Sequence, residues 1–273
     1  MPDTMITLAN GREISFAVPP EGAGPACFLL GVRKCGSSIL NSICEALARL
    51  NNRGFVDVGH TFFTANVLTR DWQRDPALRN IVRQGIVYGG FRDMPLGLLE
   101  DEAFRTGPKF LLVRDPRDAL VSEYFSNAYS HHIPPSSGDE DAVTATMLAK
   151  REQALAADIS DYVLRMAGPM NHTMSHFKAA PTLPNIDIVK YEDLILDKAR
   201  LIGLLAARFG MQVTEAETAS ILGWADKVPL VEDPRAFVRR VRPGDHREKL
   251  ATATIARLNS VLRPAMTLFG YES

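Results

Sequence analysis

Residues 26–38 constrain the fold of this chain more than any other stretch. Ala26-Cys27-Phe28-Leu29-Leu30-Gly31 is an apolar run of strand length, suited to burial on both faces. Gly36, Ser37 and Ser38 then break the run, and Ile39, Leu40, Ile43, Leu47 and Leu50 recur at helical spacing behind hydroxyl residues that open helices well. The result is a strand, a turn and a helix. Further apolar runs at 55–58, 86–88, 109–113 and 186–189 are separated by helix-length segments. Alternation of this kind predicts an α/β fold: a single P-loop-like domain with a central parallel sheet flanked by helices.

Before the first core strand, residues 6–18 alternate around Asn10-Gly11, a pair that suits a tight turn, and predict an edge hairpin within an N-terminal extension of residues 1–25. Helices are expected over 142–166, 194–209 and 252–262. Between His131 and Asp141 the chain turns to Pro, Ser, Gly and acid, which is loop chemistry.

Lys plus Arg (31) nearly balances Asp plus Glu (32), so no global positive field points to nucleic acid, and an anion site must be local. Cys27, Cys35 and Cys44 form no CxxC pair, and no stretch reaches membrane-spanning length or reads as a leader. These features lead us to expect a cytoplasmic protein. No spacing of His, Cys, Asp or Glu suggests a metal site.

One local anion site is the segment Gly31-Val32-Arg33-Lys34-Cys35-Gly36-Ser37-Ser38, where helix N-terminal amides and the helix dipole favour a phosphate. The spacing approaches a Walker A loop, GxxxxGK[ST]. Ser37 nevertheless stands where that loop needs lysine, and the lysine lies two residues before Gly36. A triphosphatase is disfavoured.

Arg33-Lys34-Cys35-Gly36-Ser37-Ser38-Ile39 instead resembles the P-K-[SA]-G-T-T-W loop with which sulfotransferases bind 3′-phosphoadenosine 5′-phosphosulfate (PAPS). Arg114-Asp115-Pro116-Arg117-Asp118-Ala119-Leu120-Val121-Ser122 resembles the family's 3′-phosphate motif, with an arginine at the strand end and a serine eight positions later. Tyr191-Glu192-Asp193-Leu194 matches a Y-E-D-L segment. Arg239-Arg240-Val241-Arg242-Pro243-Gly244-Asp245-His246 is similar to the C-terminal R-K-G-x-x-G-D-W segment, with Val241 in place of glycine and His246 in place of tryptophan.

The resemblance implies that Lys34 reaches the oxygen bridging phosphate and sulfur. Arg33, Cys35, Gly36, Ser37 and Ser38 would form the 5′-phosphosulfate loop, and Ile39 would stand where the family packs a tryptophan on adenine. By the same resemblance, Arg114, Ser122, Arg239 and Arg240 would hold the 3′-phosphate, and Tyr191 would meet the adenine. The implied function is sulfuryl transfer from PAPS to a hydroxyl or amine of a small-molecule, sugar or lipid acceptor. Adenosine 3′,5′-bisphosphate (PAP) would be the product, and no metal is expected.

Many members use a histidine as general base in a K-x-H-x-P setting. This chain has Arg92-Asp93-Met94-Pro95 there, so Asp93 takes the base position beside Arg92, and His60, after an earlier strand, is the rival. Residues 61–71 and 130–178 are expected on the acceptor side, the latter as a lid. Two alternatives stay open: a kinase-like nucleotide enzyme with a degenerate phosphate loop, and a PAP-binding protein without turnover. The sequence is compatible with a homodimer and does not fix the oligomeric state.

Overall fold

The computed structural model describes residues 3–134 and 141–272. Residues 135–140 of the expected loop, and Met1, Pro2 and Ser273, therefore lie outside the described residues. A two-stranded antiparallel sheet, β1 (Thr4–Thr7) and β2 (Glu13–Phe16), precedes five parallel strands. These are β3 (Cys27–Gly31), β4 (Gly54–Asp57), β5 (Ile86–Phe91), β6 (Lys109–Val113) and β7 (Ile186–Lys190), in the order β4-β5-β3-β6-β7.

β3 is central because its two faces feed two cores. Phe28 and Leu30 face one cluster with Tyr88, Leu111 and Val113; Cys27 and Leu29 face the other with Val87, Phe110 and Leu112. A strand buried on both sides cannot alternate polar with apolar, which is why β3, β5 and β6 read as unbroken runs. The second cluster is covered by α1 (Ser37–Leu50), through Leu40, Ile43, Cys44 and Leu47. On the first lie α2 (Pro116–Phe125), α4 (Ile159–Ser175) and α7 (Thr252–Leu268). The other long helices are α3 (Ala142–Leu155), α5 (Lys198–Phe209) and α6 (Glu215–Ala225).

Several expectations change. The hairpin is not an edge of the main sheet: it forms its own two-stranded sheet, with Ile6, Leu8, Ile14 and Phe16 buried against the first core. Of the turn pair only Gly11 has positive φ (82°), and Leu8 N–H donates to the Arg12 carbonyl, so the connection is a wider turn than Asn10-Gly11 suggested. The helix expected over 142–166 is two helices, because Asp158 caps the second by accepting from the Asp161 amide. α4 is not a loose cover either, since Tyr162, Val163, Ala167, Met170 and Met174 are buried in the core.

β5 carries an irregularity that aims the following residues. Phe28 pairs with Tyr88 and Leu30 with Phe91, so β5 accommodates one extra residue at Gly89-Gly90, and Gly90 adopts φ 79°. The Gly90 amide donates to Asn41 Oδ1 at 3.2 Å, and Asn41 Nδ2 donates to Asp57 Oδ2 at 3.0 Å. One polar side chain of α1 thus joins the carboxyl ends of β4 and β5. A Cβ at Gly90 would lie 2.0 Å from Asp57 Oδ1 in a backbone conformation unfavourable to L-residues. Gly90→Ala is therefore expected to lose about 2 kcal/mol or more of unfolding free energy in urea titration. Gly89→Ala, whose hardest contact is the Phe55 ring, should lose less.

Candidate active site

Parallel α/β sheets bind ligands beyond the carboxyl ends of their strands. Here a cavity of about 740 Å³ opens at that edge, between the loops after β3, β5, β6 and β7 and the walls made by α3, α4 and α6. Of the residues singled out from the sequence, Arg33, Lys34, Gly36, Ser37, Ser38, Ile39, Arg92, Asp93, Arg114, Ser122, Tyr191, Arg239 and Arg240 all line it. Cys35 and His60 do not.

The turn after β3 carries two left-handed residues, Lys34 (φ 66°) and Gly36 (φ 86°). No side chain caps α1, so its first amides are left for a ligand. Burial pushes the Lys34 amine down to about 8; Glu123 opposes the shift, and Arg92 and Arg114 add to it. Cys35 turns away into the second core, and burial pushes its thiol up to about 12. Its expected place in the phosphosulfate loop therefore reduces to backbone.

Arg114 follows β6 and crosses to this loop. Its Nη1 donates to the Lys34 carbonyl at 3.0 Å, and its guanidinium lies 4.3 Å from the Tyr191 ring centroid. Its Nε is buried without a partner. Tyr191 packs against Gly36, where an added Cβ would stand 3.3 Å from the ring. The tyrosine expected to meet adenine is thus a wedge between the two loops. Pro116 and the Asp115 cap start α2, which carries the half-buried Ser122 to the cavity wall, followed by the buried Glu123. Glu123 Oε2 sits 3.4 Å from Arg33 Nη2, and Arg33 Nε is buried without a partner.

Arg239 and Arg240 line the cavity but are engaged by carboxylates. Arg239 is paired with Glu232 and Asp245 and lies over the Phe125 ring, and Arg240 is paired with Glu248, Asp245 and Glu232. A phosphate there would exchange with those partners. The backbone of the same segment is pinned by Asp118, which accepts from Gly244 N at 2.6 Å and His246 N at 2.9 Å and meets His246 Nδ1 at 2.6 Å. Burial works against the Asp118 charge, but the His246 hydrogen bonds and Arg114 outweigh it, and its pKa is lowered.

Asp93 is buried at the cavity wall behind Arg92, and its carboxylate meets His176 Nδ1 at 3.0 and 3.1 Å. His60 is exposed on the short helix Val58–Thr64, where its backbone amide donates to Asp57 and its carbonyl accepts from the Thr64 hydroxyl. The structure does not bring it to the site. Sequence reasoning missed Glu123, Lys150, His176 and Trp224, all of which line the cavity. Only Trp224 had a local signal, since Thr214 and Glu217 form the capping box that opens its helix α6. Among the described residues no group of His, Cys, Asp and Glu could hold a metal, and no helix is long and apolar enough to cross a membrane.

A glycine-containing turn after the central strand, joined through Arg114 to the start of α2 at the mouth of one cavity, is the arrangement of a P-loop-like α/β domain. More specifically, the chain belongs to the sulfotransferase domain family, whose model matches residues 25–270. Mouse sulfotransferase SULT7A1 complexed with PAP has the same fold, with a TM-score of 0.60 and 12% identity over 99% of each chain. Retinol dehydratase in complex with androsterone and inactive cofactor PAP is also similar, with a TM-score of 0.53 and 13% identity over 100% of this chain and 92% of that one. No curated protein sequence matches the chain.

The Asp118 clamp yields a test. Asp118→Ala strips acceptors from two amides and a buried ring, and is expected to lower stability by about 3 kcal/mol. It should also speed tryptic cleavage after Arg240 or Arg247. Because the Asp118 pKa is depressed, its contribution is present at neutral pH and lost as the pH falls through the folded-state value. Unchanged cleavage would show that the segment is held by other contacts.

Proposed function

We propose that this chain transfers the sulfuryl group of PAPS to a hydroxyl or amine of a small-molecule, sugar or lipid acceptor. The observation that carries this reading is the joint between Arg114 and the Lys34 carbonyl, which sets the two expected anion sites side by side, with Arg114 Nε buried and, among the described residues, without a hydrogen-bond partner. A donor with a 5′-phosphosulfate and a 3′-phosphate fits that pair. A triphosphate would instead need a lysine after Gly36, where Ser37 stands.

In this arrangement the α1 amides and the Ser37 and Ser38 hydroxyls cradle the 5′-phosphate. Arg114 and Ser122 hold the 3′-phosphate, with Arg239 and Arg240 released to it from their carboxylates. Ile39 and the half-exposed Trp224 ring offer apolar surface to the adenine, and such a stack is worth about 1–3 kcal/mol. Lys34 carries the central task. Sulfuryl transfer, like phosphoryl transfer, depends on in-line positioning and on neutralising charge on the departing oxygen. An ammonium held out of bulk water supplies that charge strongly.

Acceptors would enter past residues 61–71 and the α3 and α4 wall, where Leu68, Thr146, Lys150 and Thr173 reach the cavity. All three cysteines are free and buried, which suits a reducing compartment, and we assign the protein to the cytoplasm on that basis.

Transfer of ³⁵S from labelled PAPS into a panel of phenols, alcohols, amines and sugars tests the assignment. Lys34→Ala should reduce transfer by about 10²–10³-fold, the range for losing a group that stabilises developing charge. The wild-type kcat/KM, which reports the free enzyme, should decline as the pH rises through about 8 because neutral Lys34 no longer meets the leaving oxygen. Lys34→Arg should remove that decline. Full activity in Lys34→Ala would contradict the role.

A further inference from the structure

Asp93 occupies the position from which the sequence suggested a general base, yet its carboxylate is committed elsewhere. Oδ1 accepts from the Met94 amide at 2.7 Å, and both oxygens lie within 3.1 Å of His176 Nδ1. His176 begins the 3₁₀ turn His176–Thr182 directly after α4, 83 residues from its partner. The two side chains are 10% and 11% exposed, and both residues line the same cavity as Lys34. The other ring nitrogen, Nε2, is buried and, among the described residues, has no hydrogen-bond partner. A buried polar atom left unpaired is uncommon and calls for a partner that arrives with a ligand.

We propose that His176 is the general base that takes the acceptor's proton and that Asp93 is the positioning residue that holds it for that step. This rests on the sulfuryl-transfer reading above. The anionic carboxylate fixes the proton on Nδ1, which leaves the Nε2 lone pair free. As the acceptor oxygen bonds to sulfur, Nε2 takes its proton. The bond from sulfur to the 5′-phosphate oxygen breaks, and its electron pair stays on that oxygen beside Lys34. The imidazolium that results is offset by the Asp93 carboxylate and returns its proton to water after product release.

The rivals are weaker on the same geometry. His131 also lines the cavity, but burial, and then the charges of Lys34, Arg92, Lys150 and Arg151, push it down to about 4, which makes it a poor proton acceptor. His172 packs edge-on to His176 at 4.8 Å between ring centroids and is exposed, and no carboxylate among the described residues pairs with it. Burial raises the Asp93 carboxyl while His176 and the Met94 amide pull it back, so the pair acts together.

Two readings test the proposal. Long-range ¹H–¹⁵N spectra of ¹⁵N-histidine-labelled protein, assigned with His176→Gln, should show neutral His176 protonated at Nδ1. Asp93→Asn should shift it toward the Nε2–H form. A wild-type ring protonated at Nε2 would overturn the proposal, whatever the acceptor. Transfer from PAPS to phenol should then fall about 10²–10⁴-fold in kcat for His176→Ala, with KM and PAP affinity within twofold. The loss should be smaller for 4-nitrophenol, which is far more acidic than phenol and needs less help to lose its proton, and His60→Ala should match wild type. Unchanged kcat in a His176→Ala protein that still binds PAP would reject the base assignment alone, whereas failure of the wild type to bind PAP would reject the donor reading.

Discussion

The guanidinium of Arg114 is the point on which the site turns. It leaves the end of β6, donates to the Lys34 carbonyl and rests on Tyr191 at the end of β7, so a single side chain ties together three strand ends. Lys34 holds a left-handed backbone there, a conformation costing about 1 kcal/mol or more outside glycine, and the Arg114 hydrogen bond to its carbonyl offsets part of that cost. With the backbone held in this way, the Lys34 amine sits buried in the cavity wall and the α1 amides stay uncapped. In the function proposed above, the donor's anionic groups meet both.

Around that joint the fold keeps its carboxylates at one remove from the donor positions. Asp115 holds Arg117, Asp118 pins the 244–246 backbone, Glu232 and Asp245 hold Arg239, and Asp93 holds His176. Each carboxylate orients a group rather than facing the cavity alone. The formal charge of the chain is near zero, yet the cavity presents cations because the acids are spent on second partners. Glu123 is the exception: its Oε2 is buried without a hydrogen bond, 3.4 Å from Arg33. It lowers the cost of gathering Arg33 and Lys34 beside one another.

The sheet and the two strand-to-helix turns were legible because each is written locally. Apolar runs of strand length, a Gly-Ser break before α1 and Asp115-Pro116 before α2 specify the βα units without distant information. The β5 irregularity was not legible: Gly89-Gly90 reads as weak strand, and only the approach of Asp57 and Asn41 explains it. The break between α3 and α4 was hidden in a stretch rich in Ala, Leu and charge that reads as one helix, and the Asp158 cap shows only in the structure. Most of all, Asp93 and His176 are separate polar residues in sequence. A contact spanning 83 residues has no period or motif to announce it, so the base position looked like a lone aspartate.

Calorimetric titration of the purified protein with PAP, set against ATP with magnesium and repeated on Arg114→Ala, tests the central claim most directly. The account predicts PAP binding that ATP with magnesium does not match and that is lost or weakened at least tenfold when Arg114 is removed, which corresponds to about 1.4 kcal/mol or more. Equal or tighter binding of ATP with magnesium, or PAP binding indifferent to Arg114 in a folded protein, would contradict it.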